Sequence, residues 1–153
     1  MDMTAILVAT DFSDCAGSAF QMAKRLAKRF KAKLILQHVI SQTNVERLAE
    51  YLQKEPDTLL PELRERAQEQ LSVFLSRWGT DDLEVEGMVT VGLPFQEIAG
   101  IARDLAVDLV ALGGYGQRGR GSIDEVFFGS TAEKVVRLLP CPVLCVPLTE
   151  VEK

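Results

Sequence analysis

Histidine occurs once in the chain, at position 38, and a Gly-Lys pair occurs nowhere. With no second imidazole to work with and a place near the end of an apolar run, His38 reads as a packed structural residue rather than a catalytic base. Without Gly-Lys followed by Ser or Thr, a Walker phosphate loop is excluded. Cysteine is scarce and odd in number, and Cys15, Cys141 and Cys145 show no zinc-type pairing. That argues for a reduced, cytoplasmic setting over a disulfide framework, with Cys141 and Cys145 serving core or edge packing. No apolar run approaches the ~20 residues that span a bilayer, so no transmembrane segment is expected. The opening Met-Asp-Met-Thr-Ala-Ile is acidic where a signal peptide would be basic. Positive charge is short as well. A net charge of −5 argues against nucleic-acid binding, which rests on neutralising many phosphates. The one basic cluster, Lys24, Arg25, Lys28, Arg29, Lys31 and Lys33, falls on the polar side of an amphipathic stretch and just after it, and reads as a solvated face.

What is present is an ordinary globular composition, 47% hydrophobic and 25% charged over 153 residues, enough for one domain with a full core. No linker, internal repeat or low-complexity segment divides it, so residues 1–153 are read as a single domain. Residues 4–10 form a nearly continuous apolar run, as expected of a parallel strand covered on both faces. Ser13 suits an N-cap, Asp14 adds favourable first-turn charge, and Ala16, Ala19, Phe20, Ala23, Leu26, Ala27 and Phe30 repeat at helical spacing, which predicts a helix over 14–30. A second strand covers 33–40. Residues 41–60 are polar and irregular, with a short helix around 45–53; Pro61 then suits the first turn of a helix over 62–78, stopped by Gly79. Residues 83–91 alternate well enough to be an exposed edge strand. Gly92-Leu93-Pro94 turns into a helix that carries Ile98, Ile101, Ala102 and Leu105, and 107–112 make a fourth strand. Val143–Val146 is too apolar for anything but a strand, yet Pro142 and Pro147 bracket it, which favours an edge where a second subunit can add its own strand. The order predicts an α/β fold: an open, doubly wound, five-stranded parallel sheet with helices on both faces. Ligands of such sheets bind beyond the carboxyl ends of the strands.

The stretch from Leu112 to Leu139 is the prime functional candidate, because an apolar strand runs into a glycine-rich loop and then a helix. Glycines let the backbone approach a ligand closely, and the helix N-terminus offers unpaired amides to an anion. Gly114-x-Gly116-x-x-Gly119 matches the dinucleotide fingerprint literally, but it follows the fourth strand and no paired strand-and-acid element lies about twenty residues on, so the match is accidental. The pattern that fits in residues and place is Gly-x2-Gly-x9-Gly-Ser, and with it the chain resembles the universal stress protein family, nucleotide-binding subtype. Residues 6–13 resemble that family's first strand and turn, His38-Val39 the end of its second strand, and Val91-Gly92-Leu93-Pro94 its third junction. Residues 129–135 and 140–144 resemble its closing helix and strand. The strand end places the first motif glycine at Gly113 and the second at Gly116. Twelve residues rather than nine then separate Gly116 from Gly129, a three-residue insertion. Counting from Gly116 and Gly119 restores the nine but moves the loop off the strand. Arg118 and Arg120 fall in the enlarged loop, where they either clasp phosphates or sit in solvent.

The resemblance implies an adenine-nucleotide-binding regulatory module of the stress response, adenine nucleotide α-hydrolase-like in fold and homodimeric, taking ATP or another adenine nucleotide, with or without Mg. It implies that backbone groups of Val39 hold adenine, that Ala9, Thr10 and Asp11 lie beside the nucleoside, and that Gly113, Gly116, Gly129, Ser130 and Thr131 wrap ribose and phosphates. Leu112 and Tyr115, on either side of the Gly113-Gly114 pair, complete the set. The residues also carry plainer roles. Ser130-Thr131-Ala132-Glu133 is a capping box, Asp11 suits a turn or a metal held through phosphate, and Gly92-Leu93-Pro94 is a structural turn. Two other readings stay open: a weak ATPase drawing on Asp11, Asp124 or Glu125, and a dimeric interaction protein that binds no nucleotide.

Overall fold

A computed structural model describes residues 2–114, 130–138 and 141–148. Within them strands and helices follow one another, with two helices in succession after the second strand: β1 (Ala5–Ala9), α1 (Asp14–Phe30), β2 (Lys33–Ser41), α2 (Gln42–Leu52), α3 (Pro56–Trp78), β3 (Val85–Gly92), α4 (Pro94–Asp104), β4 (Leu109–Gly113), α5 (Ser130–Leu138) and β5 (Val143–Val146). The five strands form one sheet in the order β3-β2-β1-β4-β5, and all four pairings are parallel. This is the doubly wound α/β sheet expected from the sequence, with β3 and β5 at its edges as their alternation and prolines predict.

Alternate residues of the central strands feed two cores. Ile6, Val8, Leu34, Leu36, Leu109 and Ala111 pack with Phe20, Ala23 and Ala27 of α1 and with Leu71 and Phe74 of α3. Leu7, Ile35, Val110 and Leu112 face the other way, onto Ile98 and Ala102 of α4 and Val135 of α5. Both faces are therefore covered, which is why these strands read as continuous apolar runs.

Local signals account for most boundaries. The Ser13 hydroxyl accepts from the Ala16 N–H at 3.1 Å and starts α1. Lys31 ends it in the left-handed region, at φ 58°. Between residues 41 and 60 the outcome differs from the expected irregular segment: α2 starts at Gln42, capped by Ser41, and α3 starts at Pro56 rather than after Pro61. Pro56 takes the favourable first-turn position. Pro61 lies inside α3, on its exposed face, where water can solvate the carbonyl that loses its helical donor. Leu60 and Leu63, on either side of it, pack on Ile40, Val45 and Ala67, so burial holds the helix through the proline.

Lys24 is a correction to the reading of the basic cluster as a solvated face. Its side chain is 2% exposed, and its ammonium donates to the carbonyls of Trp78 at 2.7 Å and Gly79 at 2.8 Å. It thereby satisfies the open C-terminal carbonyls of α3 and pins that helix to α1. The aliphatic part of the side chain reads as polar in any periodicity count, and only the neighbouring helix end reveals the purpose.

Candidate functional site

Strand order reverses between β1 and β4, which lie side by side through the pairs Ile6 to Leu109 and Val8 to Ala111. The carboxyl ends of these two strands define the switch point of the sheet, the usual ligand crevice of such folds. Ala9, Thr10 and Asp11 leave the sheet there from β1, and Leu112, Gly113 and Gly114 leave it from β4.

Gly113 is required by contact. A Cβ on it would stand 2.9 Å from the backbone carbonyl carbon of Cys15 and 3.0 Å from its sulfur, so only glycine lets β4 end against the first turn of α1. The Gly114 N–H donates to the Val146 carbonyl at 2.8 Å and is thus committed to the sheet. Donors for an anion must then come from elsewhere, and α5, which begins at Ser130 and Thr131, presents a helix N-terminus, the kind of element whose first amides lack intrahelical partners. Tyr115, Gly116 and Gly129, with Arg118, Arg120, Asp124 and Glu125, lie outside the described residues. The thiol of Cys15, buried at the base of this junction, donates to the Val146 carbonyl at 3.4 Å. Sequence reasoning gave Cys15 no role, since nothing local marks a thiol whose acceptor is 131 residues away.

The β1–α1 loop is held by its own side chains. The Thr10 hydroxyl accepts from the Phe12 N–H at 2.9 Å, and Asp11 accepts from the Ser13 N–H at 3.0 Å, so Asp11 is the turn residue its chemistry predicts. Phe12 occupies the left-handed region at φ 68°, which is costly for an aromatic residue and is maintained by stacking on His38, ring centroids 4.3 Å apart. Phe12 also meets Phe74 of α3 edge to face. His38 donates from Nδ1 to the Thr10 carbonyl at 2.8 Å. Burial pushes its pKa below the ordinary value and outweighs the opposing pulls of the Thr10 bond and of Asp11, so the ring is neutral at pH 7. His38 is thus the packed structural residue the sequence suggests, but packed against the candidate site.

Val39 sits one residue further along β2, opposite Thr90 of β3. The β1–β2 register stops at Ala9 and Gln37, where the Gln37 carbonyl accepts from the Thr10 N–H at 2.9 Å. By the alternation of strand backbones, the Val39 N–H and C=O point the same way as those of Gln37, into the space that β1 has left. Backbone recognition of a planar, hydrogen-bonding ligand is the chemistry such a position offers. On the other face, Lys134 of α5 lies 4.8 Å over the Phe95 ring of α4, which ties the helix behind the crevice to its neighbour. Among the described residues no group of three or more His, Cys, Asp or Glu is placed to hold a metal.

Sheet order, the glycine junction at its switch point and the helix that follows define a doubly wound α/β fold. The chain belongs to the universal stress protein family, whose family model matches residues 3–147. It is 27% identical to the universal stress protein MJ0577 of Methanocaldococcus jannaschii, over 92% of this chain and 93% of that protein. A solved structure of MJ0577 superposes with a TM-score of 0.80 and covers 98% of this chain and 99% of its own. A Thermus aquaticus universal stress protein is 32% identical over 92% of this chain and 96% of its own. Two more distant structures share the fold. One is a universal stress protein in complex with cAMP, at 21% identity and a TM-score of 0.62, covering 97% of this chain and all of that one. The other is from Archaeoglobus fulgidus in complex with dAMP, at 21% and 0.65, covering 95% and 99%.

Proposed function

We propose that the chain is an adenine-nucleotide-binding regulatory module of the stress response, taking ATP at the carboxyl ends of β1, β2 and β4. The observation that carries this reading is the pairing of two features at one edge. The Val39 backbone faces the space vacated by β1, and Gly113 ends β4 against α1 at the switch point. Adenine offers a donor and an acceptor on one edge, which a strand's N–H and C=O can match. The adenine ring shared by the cAMP and dAMP complexes of two relatives supports the same assignment. Ala9, Thr10 and Asp11 lie beside the nucleoside in this reading. Leu112, Gly113, Tyr115, Gly116, Gly129, Ser130 and Thr131 surround ribose and phosphates, with Mg held through the phosphates near Asp11. Amides at a helix N-terminus favour an anion by about 0.3 to 1 kcal/mol, up to ~2 when partly buried. We further propose a cytoplasmic homodimer formed through β5.

The reading is one of binding rather than hydrolysis. The chain's one imidazole has its Nδ1 bonded to Thr10 and stacks on Phe12, an arrangement that serves structure. Equilibrium dialysis with labelled ATP and AMP, with and without Mg, tests the proposal. Uptake of one nucleotide per chain is expected, and no uptake at ligand on the order of 1 mM, the weakest class of specific binding, sinks it.

A further inference from the structure

A parallel ladder continues by a fixed rule: after one strand's N–H reaches a carbonyl, the N–H two residues on in the partner returns to the first strand. Here the Thr10 N–H reaches the Gln37 carbonyl, so the next rung would carry the Val39 N–H to the Thr10 carbonyl. The register ends before that rung, at Ala9 and Gln37. The Thr10 carbonyl accepts instead from His38 Nδ1 at 2.8 Å. We infer that His38 is a positioning residue for the nucleotide: its imidazole takes the carbonyl that would close the ladder, and so leaves the Val39 N–H and C=O turned toward the ligand.

Three further observations point the same way. The Phe12 N–H, which a continued ladder would send back toward β2, goes to the Thr10 hydroxyl at 2.9 Å. The left-handed turn at Phe12 lifts β1 away from β2 just past Thr10, and the Phe12 ring closes on His38 at 4.3 Å, so the same imidazole holds both the carbonyl and the turn. Phe74 of α3 braces that pair from outside, ring centroids 6.2 Å from Phe12. His38 therefore acts through Thr10, Phe12 and Val39 and needs no contact with the ligand. The inference rests on the nucleotide reading above for its ligand, but its structural half stands alone.

The test uses two variants. His38→Phe keeps an aromatic ring on Phe12 and removes the donor; His38→Asn removes the ring and keeps a donor near the Nδ1 position. Amide hydrogen exchange followed by NMR on the nucleotide-free chain reads the rung directly. In His38→Phe the released Thr10 carbonyl takes the Val39 N–H, and Val39 exchange slows about tenfold or more relative to wild type. In His38→Asn it stays as fast as in wild type. General destabilisation speeds exchange, so slowing at one amide cannot come from a merely structural loss. ATP titration of the same proteins gives a Kd raised about tenfold or more in His38→Phe, the scale of one or two lost hydrogen bonds, and within roughly threefold of wild type in His38→Asn. Val39 exchange that does not slow in His38→Phe overturns the inference, as does unchanged ATP affinity in a variant whose Val39 has slowed. Wild-type protein that takes up no ATP refutes the nucleotide reading alone, and the exchange comparison still decides whether His38 ends the ladder.

Discussion

Lys24 and Lys28 sit four residues apart on α1, both near Asp81, and environment alone separates their worth. Lys28 meets Asp81 at 2.8 Å with both side chains well exposed, a pairing that solvent and side-chain entropy largely cancel. Lys24 is buried and is the donor to two helix-end carbonyls. Lys24→Met keeps the apolar stem but leaves the Gly79 carbonyl without its donor and the Trp78 carbonyl with only the Gln21 amide at 3.4 Å, so urea unfolding is expected to show a loss of about 1 to 3 kcal/mol. Lys28→Met should move the midpoint little; equal effects from the two would mean that burial is not what matters. At His38 the sign is set by its depressed pKa. Above the ordinary value of about 6.5 both folded and unfolded rings are neutral and no stability is at stake. As pH falls below that value the unfolded ring takes a proton that the folded ring resists, so stability falls until the folded pKa is reached. Asp81 and Asp108, held below the usual carboxylate range by Lys28 and by the Thr4 and Ala5 amides respectively, also lose stability in acid. The comparison is therefore between wild type and His38→Asn, by urea midpoints at about pH 7.5 and pH 5.5, and the wild type should lose more between them. Equal losses would refute the assignment.

At the scale of elements, α1 was legible from its sequence because both ends are decided locally, by the Ser13 hydroxyl and by the chain reversal at Lys31. The start of α3 was not, since two prolines compete for its first turn and the choice falls to contacts of Leu60 and Leu63 with residues from β2 and α2. The edge character of β3 and β5 could be read from alternation and proline. The glycine junction was legible too, because a close approach leaves a glycine in the sequence. The His38 contact was not: its partner lies 28 residues away, and no spacing rule links a strand histidine to a carbonyl at the end of the neighbouring strand. Gly17 shows a contact of the same hidden kind. It lies inside α1, where replacing glycine by alanine ordinarily stabilises by about 1 kcal/mol. Here a Cβ would coincide with the six-membered ring of Trp78. Overpacking of that kind costs about 1 to 3 kcal/mol, so it outweighs the helix propensity. Gly17→Ala should therefore lower the thermal midpoint and red-shift the emission of the chain's one tryptophan as the ring is displaced. A higher midpoint with unchanged emission would show that Trp78 does not occupy that place.

Among the described residues the sheet has two unequal edges. Along β3, Lys33 bridges Glu86 at 2.8 Å and Glu84 at 3.5 Å, and charges of this kind discourage another strand from pairing there. Along β5, Val143, Leu144 and Cys145 carry no charge, and the strand is only four residues long, framed by Pro142 and Pro147. Its inward and outward backbone groups can be assigned. The Pro142 and Val146 carbonyls accept from Val110 of β4 and from Gly114 just past its end, so residues 142, 144 and 146 turn toward the sheet, and Val143 and Cys145 turn outward. A second copy of the chain pairing here would use the Cys145 N–H, and that makes the proposed dimer testable without disturbing the β4 ladder. Cys145→Pro removes one of the two outward donors, leaving that of Val143, and the proline leaves Leu144 in the extended conformation it already has. The Val146 carbonyl also receives Gly114 and Cys15 at the base of the crevice, so an association through β5 would stiffen the strand that anchors the proposed nucleotide site. The dimer and the site are then coupled, and loss of one should weaken the other. In sedimentation velocity the wild type is expected at twice the chain mass and Cys145→Pro at the chain mass, with an unchanged circular dichroism spectrum and weaker ATP uptake. A Cys145→Pro protein that still sediments as a dimer would place the contact on another surface, and one that is monomeric yet binds ATP as tightly as the wild type would sever the coupling.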